Sequence, residues 1–395
     1  MVSLKDCLSV THCGVCDAFS LDLLWDLPKL PLTEKYGLFS PEKALFADQR
    51  LLICKSCGHV QLGMQIAPEF LYSPGEYSFR TSQSKTARAG SELFLNFFHS
   101  ISQGRLFRSL LDIGGNDRFL AKRVPLESRF VIDPICSNED GQTIDNTKII
   151  GKFIEEVDFK KEGLEPDLIF CRHVLEHVAR PKQLLLHLFE QCAPEALYIF
   201  EIPCFENLVE ANRFDAIFHQ HYHYFDLSAF KTLIAEAGGT YLSHLYNRQG
   251  SCGGALLIAF RKARTAEKTK PAQDTAGRKC HFQKAISAYC HQMELLSAQL
   301  KNFHQNIYGY GASLMLATLA YHLQTDFSEL VCVLDDDQEK DNLGYQNVPV
   351  RVRYSNSLEI SPNSNFIITS LENARPIFKR ITEFSPRRIL IPLVN

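Results

Sequence analysis

Two cysteine pairs near the start of the chain, Cys13-x-x-Cys16 and Cys54-x-x-Cys57, have the spacing of metal knuckles. Each knuckle turns two thiolates toward one ion, and two knuckles supply the four sulfur ligands of a closed tetrahedral zinc site. Gly14 and Gly58 sit beside the pairs as turn residues. His12 and His59 also flank them and could replace a sulfur, although four thiolates are the favoured set. A closed site leaves no position for substrate, so one structural Zn2+ per chain is expected to hold an N-terminal domain together. The chemistry must then come from residues further along.

Those residues stand where strands are expected to end. Leu110-Leu111-Asp112-Ile113 reads as a short apolar strand running into Gly114-Gly115-Asn116-Asp117, with a helical stretch expected through Phe119 and Leu120. Arg129-Phe130-Val131-Ile132 is a second strand and stops at Asp133. Glycines after the first strand let a ligand approach the backbone, where a Cβ would press on it. From the end of the second strand the Asp133 carboxylate can accept both hydroxyls of a ribose; a helix cap or a solvated loop acid is the alternative reading. The turn lacks the full Gly-x-Gly-x-x-Gly pattern, which disfavours a dinucleotide.

Further strands are expected at 167–170 and 197–200, with a helix from about 181 to 192 between them. Such alternation predicts an α/β protein with a parallel sheet covered by helices on both faces. Ligands of such sheets bind beyond the carboxyl ends of the strands. A chain of 395 residues should divide into two or three domains. Its net charge of −3, with both signs dispersed, argues against a nucleic-acid partner. The opening MVSLKDCLSV has no signal-peptide run, no stretch is long enough to span a membrane, and 13 cysteines suit a reducing compartment. A cytoplasmic monomer without a membrane partner is expected.

The segment Leu111-Asp-Ile-Gly-Gly-Asn-Asp, Ile132-Asp-Pro and His173-Val-Leu-Glu-His-Val178 resembles a class I (Rossmann-like) S-adenosylmethionine-dependent methyltransferase. Further motifs, in order, sharpen the likeness: the two cysteine pairs, Glu201-Ile-Pro203, Phe214-Asp-Ala-Ile-Phe-His-Gln-His-Tyr-His-Tyr-Phe225 and Gly309-Tyr-Gly-Ala312. Together they are similar to the zinc-containing sugar C-methyltransferases of branched deoxysugar synthesis. The resemblance implies a zinc-binding domain over 1–76, a methyltransferase domain over 77–262, and a small C-terminal α/β domain over 263–395 that assists nucleotide-sugar binding. It implies methyl transfer to C3 of a dTDP- or GDP-linked 4-keto-6-deoxyhexose through an enolate. Donor contacts would come from Asp112, Gly114, Gly115, Asn116, Asp133 and His173.

Where the family reads Tyr-His-Glu-His, this chain reads Phe218-His219-Gln220-His221. His221 takes the role of base, a part that suits an imidazole of ordinary pKa near 6.5. His219 and Gln220 would orient it, and His177 matches a further active-site histidine. His173 and His177 could also simply cap or line a helix, and Glu176 between them reads as a solvated helix-face acid. Phe218 lacks the phenol that could donate to an enolate oxygen, which leaves Tyr222 and Tyr224 as substitutes. Tyr77 is the aromatic expected to reach the sugar, and Cys252, in Cys252-Gly-Gly-Ala255, reads as a small buried residue. An O-methyltransferase, or an inactive zinc- and donor-binding scaffold, are the competing readings.

Residues 261–279 read as an exposed linker. Beyond it Ile286, Tyr289, Met293, Leu296, Leu300 and Phe303 mark one apolar helix face. A strand, the turn at Tyr310-Gly311 and a helix through Met315 and Leu319 follow, then a strand ending in Asp335-Asp336-Asp337. Backbone N–H groups at that turn are candidates for holding a diphosphate; a purely structural glycine turn is the other reading. The resemblance assigns Tyr310 and Gly311 to the nucleotide-sugar.

Overall fold

The computed structural model describes residues 7–33, 45–67, 81–82, 85–248, 253–264, 274–303 and 306–393. The N-terminal strands are β1 (Cys7–Ser9), β2 (Leu21–Pro31), β3 (Phe46–Cys54), β4 (Val60–Leu62) and β5 (Met64–Ile66). β2 and β3 are antiparallel, and β3 turns into β4 through the second cysteine pair, with Ile53 opposite Val60. Gly58 has φ +75° in that turn, a conformation that favours glycine. Leu24, Leu27, Leu30, Leu51, Ile53, Val60 and Leu62 are buried in one cluster beneath this sheet.

The central strands are β6 (Ser109–Ile113), β7 (Ser128–Ile132), β8 (Thr143–Ile144), β9 (Thr147–Ile150), β10 (Leu168–Arg172), β11 (Leu197–Pro203), β12 (His223–Tyr224), β13 (Gly239–Asn247) and β14 (Ala255–Lys262). All but β12 form one sheet in the order β13-β14-β11-β10-β6-β7-β9-β8. β10 is parallel to both β6 and β11, β7 to both β6 and β9, and β14 runs antiparallel between β11 and β13. This is an open, Rossmann-like sheet with the antiparallel strand β14 inserted near one edge. All five residues of β6 and all seven of β11 are buried, so both strands read as continuous apolar runs rather than alternating ones. The chain starts outward in opposite directions from β6, so the carboxyl ends of β6, β7, β10 and β11 border a crevice.

β12 leaves this sheet. It pairs antiparallel with β4, His223 opposite Gln61, and completes a four-stranded N-terminal sheet in the order β12-β4-β3-β2. The histidine-rich segment just before β12 is thereby tied to the N-terminal block.

The C-terminal strands β15 (Ile307–Tyr310), β16 (Leu330–Asp335), β17 (Val352–Tyr354), β18 (Asn365–Ile368) and β19 (Arg388–Leu390) form a wholly parallel sheet in the order β17-β16-β15-β18-β19. The helix Thr275–Lys301 precedes it, its N-terminus capped by the Asp274 carboxylate accepting from Gly277 N–H at 2.7 Å. Its expected stripe is buried from Ile286 to Leu300 in the cluster that also holds the leucines of β2 and β3. The linker is shorter than 261–279: β14 continues through Lys262, and the helix has begun by Thr275. After β6 the structure has only the three-residue turn Ala121–Arg123 where a longer helical stretch was expected. Among the described residues no helix is long and apolar enough to cross a membrane.

Candidate active site and metal centre

The four knuckle cysteines meet. Cys13 Sγ lies 3.6 Å from Cys57 Sγ and Cys16 Sγ 3.7 Å from Cys54 Sγ, with all four sulfurs within 4.8 Å of one another. A tetrahedron built on Zn–S bonds of about 2.3 Å has edges of ~3.8 Å, so the cluster has the dimensions of a zinc site. The backbone N–H groups of Val15 and Ser56 point at Cys13 Sγ and Cys54 Sγ, both at 3.4 Å, the polarity a thiolate prefers. Hydrogen bonds among the sulfurs lower the Cys16 and Cys54 thiols and raise those of Cys13 and Cys57. A dication between them would let all four ionise.

Neither flanking histidine belongs to that set. His59 is fully buried, 3.0 Å from His223 and stacked on it. A Cβ on Gly14 would come within 2.4 Å of the His223 ring, so Gly14 serves this close contact as well as its knuckle.

At the central crevice, Asp133 caps its own strand end. Its carboxylate accepts from Asn116 N–H at 2.8 Å and Ile135 N–H at 3.0 Å. Those bonds fix the carboxylate at the strand end. Asn116 takes φ +47° to make this contact. Asp112 is buried with Oδ2 lacking a hydrogen-bond partner, and burial pushes its carboxyl up to about 7 against the pull of Arg172. The glycines are also required by the packing around them. A Cβ on Gly114, at φ +70°, would lie 2.2 Å from Val174 Cγ2, and one on Gly115 would lie 2.9 Å from Val131 Cγ2 and 3.0 Å from Asp112 Oδ2. Their smallness admits the neighbouring strand ends.

Next to this crevice three imidazoles gather around one carboxylate. His173 follows β10 with φ +53°, and Leu175–His177 form a single tight turn before the helix Pro181–Gln191. That turn puts Glu176 inside the protein, only 1% exposed, which corrects the expectation of a solvated helix-face acid. His173 Nδ1 is 3.6 Å and His177 Nε2 3.9 Å from Glu176 Oε1. The His221 ring packs 4.8 Å from that of His177. Although burial disfavours its ionised form, Glu176 is held below the ordinary carboxylate range by His173, His177 and His221. His173, its side chain about a third exposed, is raised: burial opposes its charge, but Glu176 and Glu201 outweigh it. Behind it Arg172 pairs with Glu201 and donates to Ser91 Oγ at 2.8 Å.

The residues expected to serve His221 face elsewhere. His219 donates through Nε2 to the Leu30 carbonyl at 3.0 Å and accepts at Nδ1 from the Gln49 amide at 3.3 Å. Gln220 meets the cluster through its backbone carbonyl, which accepts from His177 Nδ1 at 2.8 Å. Tyr222 donates to the Ile66 carbonyl, and the Tyr224 hydroxyl accepts from Phe218 N–H at 3.1 Å, so both phenols are structural props. Burial, with His177 adding to it, lowers His221 to about 3, well below the near-neutral base expected.

In the C-terminal sheet, the Tyr310 hydroxyl donates to Asp336 at 2.6 Å, and Gly311, at φ +98°, abuts Ser370. The expected phosphate turn is already filled. Ala312 N–H donates to Asp335 at 2.7 Å, Gly311 N–H to the Leu334 carbonyl at 2.8 Å, and the helix starts only at Leu316. Tyr77 and Cys252 lie outside the described residues. Glu201 and Arg172 carried no assigned role from sequence, yet a lone acid inside the apolar strand Leu-Tyr-Ile-Phe-Glu-Ile-Pro was a signal.

Residues 83–244 match the family model described as a methyltransferase domain. Over 105 residues the chain is 28% identical to C-methyltransferase NovU of Streptomyces niveus, a match spanning 27% of this chain and 24% of that protein. Among solved structures, the N-methyltransferase NodS of Bradyrhizobium japonicum, in complex with S-adenosyl-L-homocysteine, aligns at 14% identity and TM-score 0.35, over 47% of this chain and 91% of that one. An S-adenosylmethionine-dependent methyltransferase of Clostridium acetobutylicum aligns at 8% identity and TM-score 0.35, over 46% and 94%.

Proposed function

We propose that this chain is an S-adenosylmethionine-dependent C-methyltransferase that methylates C3 of a nucleotide-linked 4-keto-6-deoxyhexose, with one structural Zn2+ in the Cys13, Cys16, Cys54 and Cys57 cluster. The observation that carries this reading is the imidazole group of His173, His177 and His221 beside the Asp112–Asp133 crevice. A carbon next to a ketone is methylated through its enolate, so its C–H needs a positioned base. The segmental likeness to a C-methyltransferase adds support.

Bound S-adenosylmethionine supplies an electrophilic methyl group. Asp133 takes the donor's ribose hydroxyls, and Asp112, with Gly114, Gly115, Asn116 and His173, shapes the wall around it. His221 accepts the C3 proton, and the C–H electron pair becomes the nucleophile. Burial keeps His221 unprotonated and therefore ready to accept at neutral pH; it also makes the imidazolium costly, so its charge must be offset by an anion in the pocket. Tyr310 and Gly311 belong to a sheet proposed to help hold the nucleotide. Tyr77 is proposed to reach the sugar.

Incubation with dTDP- or GDP-linked 4-keto-6-deoxyhexose in D2O, without methyl donor, tests the reaction class. Deuterium should enter C3, and adding donor should give a product heavier by one methylene unit. Methylation without C3 exchange would instead mark an O-methyltransferase.

A further inference from the structure

Buried carboxylates normally have hydrogen-bond partners. Glu176 has none at either oxygen, although it is 1% exposed. What surrounds it instead is a set of imidazoles. His173 Nδ1 and His177 Nε2 lie 3.6 and 3.9 Å from Oε1, and His221 stands against the His177 ring. His177 Nδ1 meets a carbonyl oxygen, which can only accept, so that nitrogen carries the proton. Its Nε2 therefore presents a lone pair toward Glu176 whenever the ring is neutral.

A metal ion could be asked to bridge these groups, since Glu176, His177 and His221 bring ligand atoms within 4.8 Å of one another. The 3.9 Å His177–Glu176 separation exceeds the ~3.3 Å edge of a tetrahedron built on bonds of about 2.0–2.1 Å, whereas the cysteine cluster matches its own ion.

We propose that Glu176 is the anionic positioning residue of this site, holding His173, His177 and His221 as one proton-accepting unit. The chemistry it serves rests on the C-methyltransferase reading above. The proton leaves C3 for an imidazole nitrogen, the carbon keeps the electron pair, and the new imidazolium is stabilised by the Glu176 carboxylate, which itself forms and breaks no bond. The groups facing Glu176 are these three imidazoles and the Cys171 thiol, which burial keeps neutral; the Arg172–Glu201 pair stands behind His173. Gln220, on the loop opposite, contributes only a backbone carbonyl.

Glu176→Gln preserves shape and removes the charge. In the full zinc-loaded chain, nitrogen-15 spectra of the histidine rings should show at least one cluster imidazole titrating a full pH unit lower or more. The acid limb of C3 deuterium exchange should move the same way, with kcat reduced 10- to 100-fold and donor KM unchanged. Glu176→Asp, which keeps the charge, should return the ring titrations toward wild type and guards against misfolding of the glutamine variant. Unchanged titrations in folded Glu176→Gln would overturn the proposal. So would a second equivalent of bound zinc or cobalt that this variant loses while the four-cysteine equivalent stays. Absence of C3 exchange in the wild type would sink the enolate chemistry and leave the ring titrations to decide the role of Glu176.

Discussion

Two clusters of ligating side chains in this molecule solve the same electrostatic problem in opposite ways. At the knuckles, four sulfurs sit at the separations of a zinc tetrahedron, braced by backbone N–H groups. Nothing there is left over, and a closed set of this kind holds structure together. At the crevice, Glu176 and three histidines approach one another without closing hydrogen bonds between them, and Asp112 keeps a bare oxygen nearby. Unsatisfied polar groups in a buried pocket cost stability. The clusters are also linked: His223 packs on Gly14 of the first knuckle, and His219 is held by Leu30 and Gln49.

That link gives the largest expected effect. Cys54→Ser opens the closed site, and structural zinc in small domains is worth about 10–16 kcal/mol. Metal analysis should fall from one zinc to none, and limited proteolysis should cut the N-terminal sheet. Because β12 and His219 rest on that sheet, methyl transfer should vanish as well. Retained activity in a zinc-free variant would separate the two clusters. On the open side, His221→Asn keeps a polar group of similar reach and removes the proton acceptor. It should lower kcat by roughly 10²–10⁴-fold with donor affinity unchanged, read from single-turnover kinetics and calorimetry. Near-wild-type turnover would pass the role to His173, whose proton affinity is raised rather than lowered.

How far each cluster could be read from sequence follows the same division. The cysteine cluster was legible because the information is local: two residues between cysteines set the spacing of a knuckle. β6, β7, β10 and β11 were legible because strands buried on both faces are written as short apolar runs. The surroundings of the imidazoles were not. His173-Val-Leu-Glu-His177 has helical spacing, and a helix would have left Glu176 outside; one tight turn at the strand end puts it inside. His219, Tyr222 and His223 find partners at Leu30, Ile66 and His59, more than 150 residues away in the chain, and no local pattern encodes such pairing. The glycines at 114 and 115 were recognised as a close approach, but the Val174 and Val131 side chains that crowd them come from neighbouring strand ends and had no local signal.

Smaller effects sharpen the contrast between held and available groups. Asp133→Ala should weaken S-adenosylmethionine binding by about 1–3 kcal/mol, the worth of charge-assisted hydrogen bonds. Part of any stability loss will be the cap on Asn116 and Ile135, so calorimetry with the donor must be compared with melting without it. Equal donor affinity in the two proteins would remove Asp133 from the donor site. Gly114→Ala should cost ~1–3 kcal/mol of stability from a left-handed backbone and overpacking. Adding Val174→Ala should recover the overpacking share alone, since it removes the Cγ2 atom in the way but not the positive φ. Failure of that second change to restore any stability would show that the backbone, not the valine, sets the requirement for glycine.

The smallest expected effect lies far from both clusters and separates buried histidine from functional histidine. His322 stacks on Trp25 at 5.4 Å, and burial lowers it to about 4, with Asp215 pulling the other way. The unfolded chain protonates this ring near pH 6.5, the folded chain not until about pH 4, so the unfolded state binds the extra proton in that window. Stability is therefore lost as pH falls through it, by at most about 1.4 kcal/mol per pH unit for this one group. His322→Phe keeps a ring against Trp25 and abolishes the titration. Its melting temperature should fall less steeply than that of the wild type between pH 6.5 and 5.5, with zinc content and kcat unchanged. Equal slopes would mean that His322 titrates normally in the folded protein, and burial would no longer suffice to separate a structural histidine from one whose proton affinity is set by charged neighbours.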